Sequence, residues 1–326
     1  MSYCGNKKLS ILYILEILKD YSDENHLLSQ TEIVKKLNSI YGMECERKSV
    51  GANIDNLIDY GFDIIKTQTG CYLGAREFEP SEIQFLIDAV FSSKSIDSFH
   101  SKELASKLSA FLSKYQRKQY KYLYKAGELN RTDNKQLFYN IDIINEAIEK
   151  NKQIKFNYNR FYFEDNKKKN KPYIVNPYYL INSQGRYFLV CNYDYFDKIA
   201  NYKIDKISNI EILDSDIKPV TELTGYENGL DIIKYANENI YMFGTKTVNA
   251  TIKIFDDFTS SYVEEWFGSN AKFYKTDGEL FADVVVNDMA LVYWCLQYGE
   301  RIELIKPQEC RDEITRIVKE MNNRYN

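Results

Sequence analysis

The sequence predicts an α+β protein assembled from four consecutive parts. Three observations predict it. Apolar residues recur at helical spacing three times before residue 61, and two short strand-like runs follow, an order that makes a winged helix-turn-helix. Residues 175–207 read as three short strands with period-two alternation between turn signals. Residues 248–322 read as strand, helix, strand, strand, helix, strand, helix, which contains the β-α-β-β-α-β order of a ferredoxin-like domain.

Composition sets the outer limits. At 326 residues the chain is too long for one ordinary domain, and 44% hydrophobic content is enough for several cores. No apolar run reaches membrane-spanning length, and residues 1–8 lack the basic-then-apolar order of a secretory leader. Six scattered cysteines without a CxxC pair suit a reduced, cytoplasmic protein. His26 and His100 lie far apart, and there is no P-loop, GxSxG or HExxH. The expectation is therefore no enzyme, no metal site and no cofactor. The adjacent pairs Asp256-Asp257 and Glu264-Glu265 read as surface, because neighbours on a helix do not face each other. A net charge of −4 requires any nucleic-acid surface to be local.

The elements follow in order. Leu9, Leu12, Ile14, Leu15 and Leu18 predict a first helix within 8–21. Ser29 and Glu32 have capping-box spacing, so a second helix starts after Ser29 and runs to about Tyr41, with Ile33, Leu37 and Ile40 inward. A third runs from about Arg47 to Tyr60, with Val50, Ile54, Leu57 and Ile58 inward and Gly61 as its stop. Phe62–Leu73 reads as strand, turn, strand, with Lys66-Thr67-Gln68-Thr69 as the tip. Helices at about 82–93 and 101–114 lead to the basic and aromatic run 114–125. That run reads as a connector with a solvated face or as a single-strand-binding surface. An amphipathic helix at 140–149 precedes the strand Ile154–Tyr158. The charged stretch Glu164–Lys171 reads as a solvated hairpin tip whose lysines suit an anion. Beyond 216 the composition shifts; helix candidates there include 228–237, and the Trp294-Cys295 pair reads as a buried helix face.

Three stretches carry a family resemblance: Val175–Leu180, Gly185–Val190 and Asn201–Ile207. They resemble the core of the WYL domain, a small Sm-like β-barrel of bacterial transcriptional regulators. The tripeptide that names the family falls on Tyr187-Phe188-Leu189, and its closing signature on Tyr202–Ile207. Residues 29–73 are similar to the winged helix that precedes such domains. Phe267-Gly268, Trp294, Gly299 and Pro307 resemble the C-terminal extension, WCX, that follows them. The resemblance divides the chain into 1–78 (DNA-binding), 79–136 (helical connector and dimer contact), 137–215 (WYL sensor) and 216–326 (WCX).

The resemblance implies a homodimeric regulator that binds an operator duplex and senses a nucleic-acid or nucleotide-like effector. The third helix would enter the major groove, with Arg47 and Lys48 on phosphates, Ser49 and Asn53 on base edges, and Lys66, Thr67 and Gln68 forming the wing. Against this, residues 1–75 hold more Asp and Glu than Lys and Arg, and Arg47 and Lys48 also read as a solvated helix start. The effector positions are Tyr158, Lys171, Tyr187, Tyr202, Lys203 and Lys206, with Asp205 as an internal orienter. Lys203 and Lys206 also read as ordinary outward strand residues. Ala200 and Tyr173 stand where the family usually places arginine, and lysine lacks arginine's fork to phosphate. The second reading is a single-stranded nucleic-acid-binding accessory protein.

Overall fold

Caps and glycines set the boundaries of the first unit. The structure is a computed structural model that describes residues 7–119, 132–162 and 167–326. It divides into two compact units, Met1–Asp133 and Asn134–Asn326. The first contains α1 (Ser10–Tyr21), α2 (Gln30–Tyr41), α3 (Arg47–Tyr60), β1 (Ile64–Lys66), β2 (Cys71–Leu73), α4 (Pro80–Ser92), α5 (Ser98–Ser109) and α6 (Lys114–Gln119). The Ser29–Glu32 capping box starts α2, and Gly42 and Gly61 end α2 and α3 in left-handed conformation. Ile14, Ile17, Leu18, Ile33, Leu37, Val50, Ile54 and Leu57 form one core with the hairpin.

Two residues expected inside this core are not: Ile40 and Ile58 are exposed, because they sit on the flanks of the apolar stripes that α2 and α3 bury. Helix α5 begins earlier than expected, at Ser98, since Asp97 accepts hydrogen bonds from the Phe99 and His100 amides. Residues 120–131, which include the second half of the basic and aromatic run, lie outside the described residues.

Leu28 pairs with Cys71 through both backbone hydrogen bonds, which docks the hairpin against the start of α2. A Cβ on Gly70 would lie 2.8 Å from the Leu28 carbonyl carbon and oxygen, so this approach requires glycine. Beside it, Ser113 Oγ donates to Asp23 at 2.7 Å, and Arg117 meets Asp20 at 2.6 Å. These bonds fasten the chain after α5 to the end of α1.

The second unit contains α7 (Leu137–Glu149), β3 (Lys152–Tyr162), β4 (Lys167–Ser183), β5 (Arg186–Asn192), β6 (Ile199–Lys203) and β7 (Ile207–Asp216). These strands form one antiparallel sheet in the order β6-β5-β4-β3-β7. The expected barrel is not closed: among the described residues, β6 and β7 are edges with no ladder between them. A 3-10 turn at Ile204–Lys206 separates them. The Asn134 and Asn140 side chains occupy the Asp205 and Ile207 carbonyls at that junction. The charged stretch also differs from expectation. Residues 163–166 lie outside the described residues, and Lys167–Lys171 belong to β4, paired with Tyr162–Tyr158 of β3. No Gly or Pro interrupts 158–171, so backbone pairing continues past the apolar pattern.

The rest of this unit is α8 (Ile232–Glu238), β8 (Thr247–Ile254), α9 (Asp257–Phe267), β9 (Lys272–Thr276), β10 (Glu279–Asn287), α10 (Asp288–Gln297), β11 (Ile302–Lys306) and α11 (Gln308–Tyr325). Its antiparallel sheet runs β11-β8-β10-β9. Val263, Phe267, Leu291 and Trp294 pack on it, and Trp294 and Cys295 are both buried. Asp256 accepts from the Thr259 amide at 2.8 Å as the cap of α9.

Candidate nucleic-acid and effector sites

In the first unit, the start of α2, the start of α3 and the β1–β2 turn enclose a cleft of about 220 Å³. Arg47, Lys66, Thr67 and Gln68 line it. Arg47, Lys48 and Ser49 are all exposed on the first turn of α3, which has no side-chain cap. Arg47 Nε donates to Gln30 Oε1 at 3.2 Å, which orients the guanidinium over the cleft. The hairpin tip is a closed turn in which the Thr67 amide donates to the Gly70 carbonyl at 2.8 Å. Two placements differ from a fully basic reading surface. Asn53 is half-buried, and its Nδ2 donates to Ser10 Oγ at 3.1 Å, so it helps fix α3 on α1. Lys66 is ion-paired with Asp55 on the exposed side of α3.

In the second unit the expected effector residues separate. Leu189 pairs with Tyr202, and Phe188 with Lys203. Adjacent strand residues point to opposite faces, so Tyr187 and Tyr202 share one face while Arg186 and Lys203 share the other. Contacts agree: Tyr202 meets Phe156 and Tyr158 at ring distances of 5.4 and 4.8 Å, and Lys203 Nζ lies 5.9 Å from the Phe188 ring. Tyr202 and Lys203, expected in one site, therefore project to opposite faces of the edge strand β6.

The cationic patch centres on Arg186, which sequence reasoning missed. Its Nη1 lies 3.5 Å from Asp205 Oδ2, and the Asp205 side chain is 7% exposed. Asp205 Oδ1 is buried with no hydrogen-bond partner among the described residues. Burial raises the Asp205 carboxyl above its usual range against the pull of Arg186, Lys203 and Lys206. Burial also lowers the Lys203 ammonium, and repulsion from Arg186 and Lys206 adds to that. Three cations thus surround one carboxylate, with positive charge left over for an anion.

The aromatic patch comprises Phe156, Tyr158, Tyr173, Tyr193 and Tyr202. Tyr173 and Tyr202 are buried, and the Tyr202 hydroxyl is hydrogen-bonded to that of Tyr193. Burial pushes the Tyr193 hydroxyl up to about 12. Tyr173 is therefore a packing residue where the family usually carries arginine. Lys171 pairs with Tyr158 across the β3–β4 ladder; its side chain lies outside the described residues.

A buried amide network supports the β5–β6 loop. Gln153 Nε2 donates to Asp194 at 2.8 Å, Asn176 Nδ2 to Asp194 at 2.8 Å and to Asn192 Oδ1 at 2.8 Å. Asn192 Nδ2 donates to the Tyr193 and Phe196 carbonyls at 3.1 and 3.0 Å. Asn176 and Asn192 are fully buried.

Family models match both parts of this unit, a WYL domain at residues 139–212 and a WCX domain at 246–321. The second unit thus carries a WYL domain followed by a WCX domain. Its WYL domain holds both patches and the amide network, and Arg186 directly precedes the tripeptide Tyr187-Phe188-Leu189. No curated protein matches the chain. Among solved structures, it is similar to proteasome accessory factor B/C of Arthrobacter aurescens, at 14% identity and a TM-score of 0.31. That match covers 95% of this chain and 47% of the other, so the chain spans about half the length of that structure. It is also similar to a CRISPR Cas-related protein, at 16% identity and a TM-score of 0.40, covering 97% of this chain and 85% of the other. Among the described residues, no helix is long and apolar enough to cross a membrane.

Proposed function

We propose that this protein is a homodimeric, DNA-binding transcriptional regulator whose WYL domain senses a nucleic-acid or nucleotide-like effector. The observation that carries the reading is the patch of Arg186, Lys203 and Lys206 around the buried Asp205. An uncompensated, partly desolvated cationic cluster is built to take an anion, and Arg186 supplies the planar fork that phosphate favours. The first unit supports the DNA-binding part: three helices and a hairpin bring Arg47 and the 66–68 turn to one cleft. Operator contact would come from Arg47, Lys48 and Ser49 on α3 and from Lys66, Thr67 and Gln68 on the hairpin. Two copies would double the few phosphate contacts that one offers.

One observation favours the second reading, a single-strand-binding accessory protein. Asp55 and Asp59 are exposed on α3, and Asp55 neutralises Lys66, which weakens this surface toward duplex phosphates. The Arg47→Ala/Lys48→Ala variant separates the two in fluorescence anisotropy. A regulator loses duplex affinity, and its salt slope falls by about two. An accessory protein keeps single-strand binding and shows no duplex preference to lose.

A further inference from the structure

We propose that the outer face of α10 is the contact between two copies of this chain, with Phe243 of each copy seated in the groove between α10 and α11 of the other. This rests on the homodimer in the reading above and names the surface that would make it. Helix α10 has no charged residue from Met289 to its end at Gln297, and none follows before Glu300. Leu291, Trp294 and Cys295 belong to the core, but Met289 and Tyr293, one turn apart on the other side, are 42% and 51% exposed. A helix apolar all round is ordinarily covered on both faces. Phe243 continues the patch: it is 44% exposed, and its ring lies 5.7 Å from that of Tyr293. The presentation of Phe243 is built. Met242 before it is buried and holds a left-handed backbone, φ 56°, which a residue with a side chain adopts at a cost. The Met242 amide donates to the Asn239 carbonyl at 2.7 Å, and Asn201 Nδ2 donates to the Met242 carbonyl at 3.2 Å. The chain is thus fixed on the inner side while the Phe243 ring stands in solvent.

The shape and charge of this face select a second copy. Phe243 packs on Tyr293, and Tyr293 also walls a groove with Val292, Cys310 and Ile317. Phe243 does not line that groove, so a knob and a hole lie side by side. The groove holds about 170 Å³, and an apolar cavity of about 150 Å³ takes one benzene ring. A two-fold axis beside Tyr293 brings each Phe243 to the groove of the other copy, the reciprocal exchange that such symmetry demands. The rim charges are satisfied within one copy. Lys246 is paired with Glu309, Glu313 meets Arg316 at 2.7 Å, and Asp288 accepts from the Met289 amide at 2.6 Å. A rim of internal pairs has no single-sign field to select a nucleic acid or a basic peptide, and none to repel its own copy. Aromatics and methionine are what interface centres concentrate, and such a centre carries most of the binding energy.

Sedimentation velocity of the full chain over a range of concentrations tests this. The parent should be a dimer. Phe243→Asp removes the knob, and Ile317→Trp fills the groove and leaves Phe243 in place. Each should weaken dimerisation roughly a hundred-fold or more, because a two-fold contact loses the interaction twice. Tyr293→Phe should keep the dimer. Phe85→Asp should keep it as well, although Phe85 is 74% exposed on α4 in the connector. Far-UV circular dichroism should show parental helix content in each variant, and if one of the two disruptive variants unfolds, the other decides. A dimer that survives Phe243→Asp and Ile317→Trp overturns this contact and leaves the homodimer standing. Loss in only one of those two, with both folded, overturns the pairing of knob and groove. Loss confined to Phe85→Asp puts the contact on the connector and also overturns it. A monomeric parent at every concentration overturns both the contact and the homodimer.

Discussion

Arg186 and Asp205 show how a cationic cluster is held around one buried carboxylate. Asp205 anchors the guanidinium with one oxygen and stays buried, while Lys203 carries its charge at a cost set by burial and two cationic neighbours. An anion relieves that repulsion and favours the protonated amine. Affinity for an anionic probe should therefore fall as pH rises through the depressed Lys203 value, below the ordinary 10.5. Calorimetric titration with thymidine monophosphate across that range checks it, and a flat profile would remove Lys203 from the site. Arg186→Lys keeps the charge and loses the fork, so it should fall between the parent and Arg186→Ala, the latter weaker by roughly tenfold. Asp23 gives the opposite pH signature. Burial would raise its carboxyl, but hydrogen bonds from Ser113, His26 and Asn25 outweigh this and hold it below 3.8. Its contribution to stability is present above the unfolded value and lost as pH falls through the folded one. Asp23→Ala should lower the melting temperature at neutral pH, and the gap from the parent should close in acid.

At the scale of elements, what was legible in the sequence was what is local. The Ser29-x-x-Glu32 box, Gly61 and the hairpin turn each depend on residues within a few positions, and the boundaries of α2 and α3 follow from them. Helix flanks were less legible. Ile40 and Ile58 match the apolar period, but which flank a neighbouring helix covers is decided by packing. The open sheet was not legible at all, because closure depends on whether β6 meets β7 and on Asn134 and Asn140 reaching carbonyls more than sixty residues away. The opposition of Tyr202 and Lys203 was legible from strand period alone. Arg186 had a signal too, since it lies two residues before Phe188 and so on the Lys203 face. Two substitutions test the local devices. Ser29→Ala should cost about 1 kcal/mol of stability through loss of the cap. Gly70→Ala should cost more than Ser29→Ala in chemical denaturation, because its Cβ meets the Leu28 backbone.

For the whole molecule, the proposed regulator would contact duplex through its first unit and effector through its second. If the two are coupled, the coupling is reciprocal: the effector alters duplex affinity and the duplex alters effector affinity by the same factor. Neither binding energy need be large for this, since a difference of about 1.4 kcal/mol between states is tenfold in affinity. The most direct measurement is anisotropy of a labelled duplex from upstream of the gene, against a scrambled duplex, at several salt concentrations, with and without saturating unlabelled decathymidylate. The expected result is preference for the upstream duplex, a steep salt slope that Arg47→Ala/Lys48→Ala flattens, and a shift in duplex affinity on adding the single strand that Arg186→Ala abolishes. Equal binding to both duplexes, with affinity indifferent to the single strand, would contradict it.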